Sequence, residues 1–288
     1  MKFVTIDCRE IGGRPGVILS DDDILDLTAA PSTLDQSQWI PYSVVSVLAA
    51  GQEGLDRAAL LANSFESKSV EEREALRRDG VLLPWSGTAL LPPVRRPGLV
   101  LVIDRDDRAY IKSPNTAVAN GARVVMPWNH DAPLQCAGML SVVIGKNLYR
   151  ADRADASAAI AGYTLVAGLT APATDDFHRY VESQQFPGAN PMGPAIVTKD
   201  ELGDPSDGVM RLKLNDVEVG SEAAYAYADD IVPRVAALSL RYSFRPGDLI
   251  CFEPRETSPL RGHPLHPGDN VEVVLGDCMS LAFGVVKD

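Results

Sequence analysis

Asp104, Asp106 and Asp107 fall together in the stretch DRDDRA. Carboxylates packed this closely raise one another's pKa and can keep one of them protonated near neutral pH, the condition for general acid–base work. The same run on a solvated loop is only a polar turn. Histidine is the other common proton-transfer group. His178 stands alone in DDFHRYVES, where a charged helical surface is the plain reading. His130 and Asp131 follow RVVMPW and supply two groups of a metal corner, too few to hold an ion unaided. His263 and His266 have H-x-x-H spacing, but among prolines in RGHPLHPG, a loop without further ligands. Glu253 and Arg255 in FEPRETSP can pair with each other. The cysteines (Cys8, Cys136, Cys251 and Cys278) form no C-x-x-C pair, and each reads as a small buried hydrophobe.

The elements that must position these groups follow from periodicity and breakers. KFVTIDCRE and VILS flank a turn at Gly12–Gly16, which predicts a hairpin. Residues 41–50 and 53–63 predict helices broken at Gly51. Ser69 and Glu72 stand at capping-box spacing and predict a third helix over EEREALRR. Pro84, Gly87, Pro92, Pro93, Pro97 and Gly98 cluster in 84–98 and predict a linker. It divides the chain near residue 90 into a small N-terminal α+β domain, 1–89, and a larger domain, 90–288. Strand-like runs dominate the larger part: LVLVID (99–104), RVVMPW (123–128), LSVVIG (140–145), GYTLVAG (162–168), PAIVTK (194–199), MRLKLN (210–215), LICFEP (249–254) and NVEVVL (270–275). Helical stretches interrupt them before GYTLV and over 222–239. Many short strands with few helices predict a β-rich α+β fold and not an alternating parallel sheet.

A net charge of −12 argues against nucleic acid or an anionic membrane as partner, since both select a basic face. It leaves room for an anionic small-molecule substrate, because a pocket can be locally basic inside an acidic shell. No run approaches ~18 apolar residues, and MKFVTIDCREIGGRPG has no apolar stretch of signal-peptide length. A cytoplasmic protein with reduced thiols is expected.

Seven segments carry a resemblance in content and order: YIKSP (110–114), MLSVVIGK (139–146), IAGYTLVAG (160–168), PMGPAIVTKDELGDP (191–205), LNDVEV (214–219), RPGDLI (245–250) and HPGDNVEV (266–273). Together they resemble the fumarylacetoacetate hydrolase family over roughly residues 90–288, with weaker echoes before. The resemblance implies that family's mixed β-roll behind the small N-terminal domain, assembled as a homodimer. It also implies carbon–carbon bond cleavage or rearrangement in small oxo-acids, with a divalent metal held by the two Glu of an E-x-E pattern and the Asp of N-D.

Carried over residue by residue, those three ligands fall on Ala137, Met139 and Gly168. Ala and Gly bring no side-chain donor, and a thioether is too soft for Mg²⁺, Mn²⁺ or Ca²⁺. The resemblance therefore implies no metal and no other cofactor at this place. The loop that carries the family's catalytic His and its acidic partner is replaced by DRDDRA (104–109), without any His. The family's Arg after the metal Asp falls on Pro172, and its substrate-side Lys falls on Gln184. Glu253 stands where a hydroxyl donor is expected. The retained F-x-K position makes Lys112 a substrate-anion contact, and the lid segment carries His178. The implied pocket is lined by Ala137, Met139, Gly168, Gln184, His178 and Glu253, leaving Lys112, Asp104, Asp106 and Asp107 to catalyse. Alternation in MLSVVIG puts Met139, Ser141 and Val143 on one face, so Met139 is expected to turn toward the former metal position.

The expected function is a metal-independent, repurposed enzyme of isomerase, cyclase or decarboxylase type on a small polar oxo- or hydroxy-acid. Proton transfer needs fewer fixed parts than metal-assisted hydrolysis. The alternatives are a non-catalytic or ligand-binding subunit, paired with an intact paralogue, and an ordinary metal-dependent hydrolase. Protein purified without chelator is expected to carry no stoichiometric Mg²⁺, Mn²⁺ or Ca²⁺ by elemental analysis. An ion found between these strands restores the metal-dependent alternative.

Overall fold

The computed structural model describes every residue except 9–11, 21–22, 32–40, 128–132, 172–175, 225–230 and 288. His130, Asp131 and Pro172 lie outside the described residues. The N-terminal hairpin forms from β1 (Lys2–Ile6) and β2 (Arg14–Ile18), paired antiparallel with Lys2 opposite Ile18. β3 (Asp23–Asp26) and β4 (Leu82–Pro84) extend it. Between them lie α1 (Val44–Ala49), α2 (Gln52–Glu66) and α3 (Val70–Arg78). Ser69 and Glu72 form the expected capping box, and Ser43 with Ser46 forms another. Gly51 breaks α1 from α2 at φ 62°, a left-handed value that glycine adopts without a Cβ penalty. Ala58, Leu61, Ala62 and Phe65 recur at helical spacing and bury one face of α2.

Further along the chain come β5 (Leu90–Leu91), β6 (Val100–Ile103), β7 (Ala109–Lys112), β8 (Ala117–Val118), β9 (Arg123–Val125) and β10 (Leu134–Ile144). α4 (Arg153–Ala159) runs directly into β11 (Ile160–Thr170). α5 (Phe177–Glu182), β12 (Asn190–Thr198), α6 (Lys199–Leu202), β13 (Val209–Leu214), β14 (Val217–Ala223) and α7 (Ile231–Ser239) follow. β15 (Leu249–Phe252), β16 (Arg261–Leu265), β17 (Asn270–Leu275) and β18 (Met279–Val286) complete the order. The helix expected over 222–239 is shorter, because residues to Ala223 belong to a hairpin with β13. Its two-residue turn, Asn215–Asp216, has both φ angles positive, at 51° and 65°, the conformation that Asn and Asp tolerate best among side-chain-bearing residues.

Two sheets result, and the fold is α+β and rich in strand. The larger sheet runs β4-β3-β2-β1-β12-β11-β10-β15-β6-β7, with β5, β8 and β16 pairing off that path. The smaller runs β14-β13-β17-β18-β9. β10 and β11 pair from Gln135 opposite Thr170 to Ile144 opposite Ile160 and are buried on both faces. Leu140, Val142, Leu165 and Ala167 pack with Val271, Val273 and Leu281 of the smaller sheet. Met139, Val143 and Val166 join a different core, shared with Val100, Val102, Leu61 and Phe65. Gly138 lets the sheets close, since a Cβ there would stand 3.1 Å from a Val273 methyl carbon.

In space, β1 pairs with β12, Lys2 opposite Val197, and Phe3 shares a core with Val100 and Leu249. No helix among the described residues is long and apolar enough to cross a membrane.

Gly162 sits where β11 meets β12, and a Cβ there would overlap the backbone carbonyl oxygen of Val197. Backbone cannot yield as a side chain does. Gly162→Ala is expected to destabilise the fold by about 1–3 kcal/mol, the usual cost of overpacking, read as a lowered urea midpoint. An unchanged midpoint contradicts this strand spacing.

Candidate functional site

Alternation along β7 decides which side chains enter the site. Ile111 is 55% exposed, while Tyr110 and Lys112 point inward. Lys112 is completely buried. Its Nζ donates to the Ala189 carbonyl at 2.9 Å, Asn190 Oδ1 at 3.1 Å and Gln184 Oε1 at 3.3 Å. These acceptors match the three N–H bonds of an ammonium group. None of them is charged. Burial pulls the Lys112 pKa down to about 8, opposed by the negative charge of Glu253.

α5 supplies the second wall. Asp176 caps it by accepting from the Arg179 amide. Tyr180 lies four residues before Gln184, so both can face the same way. Glu253 follows β15, and both phenols reach its carboxylate. Tyr110 Oη lies 2.7 Å from Oε1, and Tyr180 Oη lies 2.7 Å from Oε2. Tyr110 Oη is also 2.9 Å from Gln184 Oε1, so its single proton serves one oxygen or the other. Burial first, and Glu253's charge second, raise both phenol pKa values. Arg261 Nη1 stands 3.9 Å from Glu253 Oε2, and it is this arginine, not Arg255, that approaches the carboxylate. A continuous polar chain therefore runs Lys112–Gln184–Tyr110–Glu253–Tyr180. Gln185, the next residue, accepts from the Ser113 amide at 2.9 Å and donates to the Ile111 carbonyl at 3.5 Å along the outer side of β7.

Ala137 and Gly168 stand opposite each other on β10 and β11. Met139 is buried, and its methyl carbon would be 2.9 Å from a Cβ placed on Gly168. The space beside Gly168 is thus filled by a thioether. These positions hold no hard oxygen donor on a side chain, and among the described residues no three His, Cys, Asp or Glu are grouped to hold an ion. The donor set does not fit Mg²⁺, Mn²⁺ or Ca²⁺. Asn190 Nδ2, also buried, has no hydrogen-bond partner in the structure.

The aspartate run is divided among arginines. Asp104 accepts from the Asp106 and Arg108 amides and from Arg108 Nε at 2.7 Å, which closes the β6–β7 turn. Asp106 pairs with Arg108 at 2.8 Å, and Asp107 pairs with Arg234. Each carboxylate faces a guanidinium and not another carboxylate. His178 is exposed on α5. His263 Nε2 contacts the Pro259 carbonyl at 2.7 Å, and His266 lies near Asp269.

A cavity of about 390 Å³ opens beside this cluster, lined by Asp104, Arg105, Asp107, Arg234, Glu253 and Arg255 among others. Arg234 lies 4.8 Å from the centre of the Phe252 ring, and Arg105 pairs with Glu256. Glu253 belongs both to the cavity wall and to the buried chain.

Sequence reasoning missed Tyr110, Tyr180 and Asn190. Tyr110 was accessible, being two residues from Lys112 on one strand. Tyr180 stands one helical turn before Gln184. Asn190 carried no local signal.

Two stacked sheets and a strand-borne polar cluster define a β-roll protein of α+β class. A model of the fumarylacetoacetate (FAA) hydrolase C-terminal region matches residues 101–286, and the chain belongs to that family. The oxaloacetate tautomerase YisK of Bacillus subtilis (strain 168) is 26% identical over 271 residues, 87% of each chain. Among solved structures, maleylpyruvate hydrolase from Sphingobium sp. SYK-6 is 23% identical with a TM-score of 0.76, covering 100% of both chains. Fumarylacetoacetate hydrolase from Exiguobacterium antarcticum is 19% identical with a TM-score of 0.77, again over 100% of both. These two likenesses are of fold.

Lys112 couples the site to pH. Its folded pKa, about 8, lies below the ordinary 10.5, so between these values the unfolded chain binds the extra proton and stability rises with pH. Relative to Lys112→Met, the wild type is expected to gain up to about 1.4 kcal/mol per pH unit across that window, measured by urea unfolding. A difference that stays flat there shows that the buried amine does not titrate as described.

Proposed function

We propose that this chain is a metal-independent proton-transfer enzyme acting on a small oxo-acid, with keto–enol or double-bond isomerisation as the reaction. The observation that carries this reading is the linkage of a buried, titratable amine to a carboxylate through a phenol, ending at the wall of a cavity of about 390 Å³. A proton-transfer catalyst needs an acid and a base held at fixed separation. Glu253 is the base at the cavity wall, held by Tyr110 and Tyr180. Lys112 is the buried amine linked to it through Gln184 and Tyr110. Arg255 makes no ion pair among the described residues and lines the same cavity, where it receives the substrate carboxylate. The tautomerase name of the Bacillus subtilis relative supports this class of chemistry.

A second reading has its own observation. The Met139 methyl group occupies the space beside Gly168, and the Lys112 amine is saturated by protein oxygens. Such filling suits a non-catalytic subunit that pairs with an active paralogue or binds a ligand.

The enol-to-keto conversion of oxaloacetate, followed by ultraviolet absorbance in EDTA, separates the two. Catalysis is expected to survive the chelator. Glu253→Gln and Lys112→Met are each expected to lower kcat/KM by about 10²–10⁴-fold, with Arg255→Gln acting mainly on KM. Acylpyruvate hydrolysis under the same conditions is expected to be undetectable. No turnover above the uncatalysed rate in folded wild type favours the non-catalytic subunit, and turnover unchanged by all three substitutions removes these residues from the chemistry. Metal-stimulated acylpyruvate cleavage returns the chain to ordinary hydrolase chemistry.

A further inference from the structure

We propose that Lys112 is a nucleophile that condenses with the carbonyl carbon of a 2-oxo acid to form an imine. This rests on the proton-transfer reading and supplies the electron sink that the reading requires. Removing a proton beside a carbonyl leaves an electron pair that must be delocalised. A bound metal does this as a Lewis acid, and the side chains at Ala137, Met139 and Gly168 cannot hold one. A protonated imine withdraws the same electrons by a covalent route.

The geometry points to Lys112 for three reasons. Its hydrogen-bond partners are neutral oxygens of Ala189, Asn190 and Gln184, so no ion pair fixes the amine in its charged form. Burial lowers its proton affinity further. The amine is also beside the vacated ligand row. Ala137 pairs with Gly168, and the Leu169 amide, one residue on, donates to the same Ala189 carbonyl that Lys112 contacts. Met139, unbranched and flexible, is the wall that can yield to a substrate there.

The step balances without an oxidant or reductant. The neutral amine attacks the carbonyl carbon, a C–N bond forms as the C=O π bond breaks, and the proton lost by the nitrogen passes to the oxygen to give a neutral carbinolamine. Tyr110, hydrogen-bonded to Gln184 and Glu253, donates the proton with which that oxygen leaves as water. The resulting iminium loses its neighbouring C–H proton to Glu253 and becomes an enamine. Where the substrate carries an adjacent carbon–carbon double bond, the enamine is a dienamine. Reprotonation at its far end by the Glu253 carboxylic acid, followed by addition of water and cleavage of the C–N bond, releases the double-bond isomer and returns Lys112.

The test is reductive trapping. The full chain in EDTA is incubated with pyruvate and then with sodium cyanoborohydride, and the lysine adduct is located by peptide mass mapping. The expected result is one reduced pyruvyl group, on Lys112, in far higher yield than on the exposed Lys146 or Lys199. Lys112→Arg, which keeps a cation but cannot form an imine, is expected to lose that adduct, and mapping of the wild type decides the matter if the variant does not fold. Labelling spread evenly over exposed lysines overturns the proposal. No adduct on Lys112 while EDTA-resistant tautomerisation persists overturns the imine and leaves the proton-transfer reading standing. No adduct and no turnover overturns both.

Discussion

The antiparallel ladder between β10 and β11, buried on both faces, is the constraint on which the rest of the molecule depends. Side chains alternate across a strand, so a single register assigns each residue of the pair to one of two cores. Leu140 and Val142 serve the interface with the smaller sheet, while Met139 and Val143 serve the side that carries the polar cluster. A slip of one residue would exchange these sets. It would put Leu140 against Gly168 and turn Met139 toward Val273. The site therefore inherits its geometry from packing far larger than itself.

Burying Lys112 is the cost that the rest of the cluster offsets. A charged amine without partners is expelled from a protein interior or loses its proton. Here carbonyl oxygens from two successive residues, Ala189 and Asn190, together with Gln184, replace its water shell. Glu253, also buried, is matched differently, by the Tyr180 proton, a share of the single Tyr110 proton and a guanidinium just beyond hydrogen-bonding range. Neither charge is cancelled by direct contact with the other. Their attraction passes through Tyr110 and Gln184.

Local features of the chain were legible, and distant pairings were not. The Ser69–Glu72 cap depends on neighbours within a few residues, and it formed as its chemistry requires. The strands MLSVVIG and GYTLVAG were visible as runs of β-branched and aliphatic residues. The helix expected from residue 222 was shortened because strand pairing with β13 outweighed local propensity. Lys112 and Gln184 were reached through family positions. Their bond to each other spans 72 residues, and that between Tyr180 and Glu253 spans 73. No periodicity carries information over such distances. The partners of the aspartate run were not legible for a related reason: its charge density is local, but Arg234, which faces Asp107, is remote in sequence.

β7 ends the larger sheet, and an end strand offers open backbone to any passing chain. Gln185 covers part of that rim, its amide imitating a further strand at Ser113 and Ile111. The residue beside it, Gln184, holds the buried amine. One short segment thus seals the interior and blunts the rim at once. Any rearrangement that lifts it to admit a molecule also uncovers an adhesive border with Ile111 in its middle. Colloidal behaviour and access to the interior are consequently bound to the same pair of residues, and selection on either will be felt by the other.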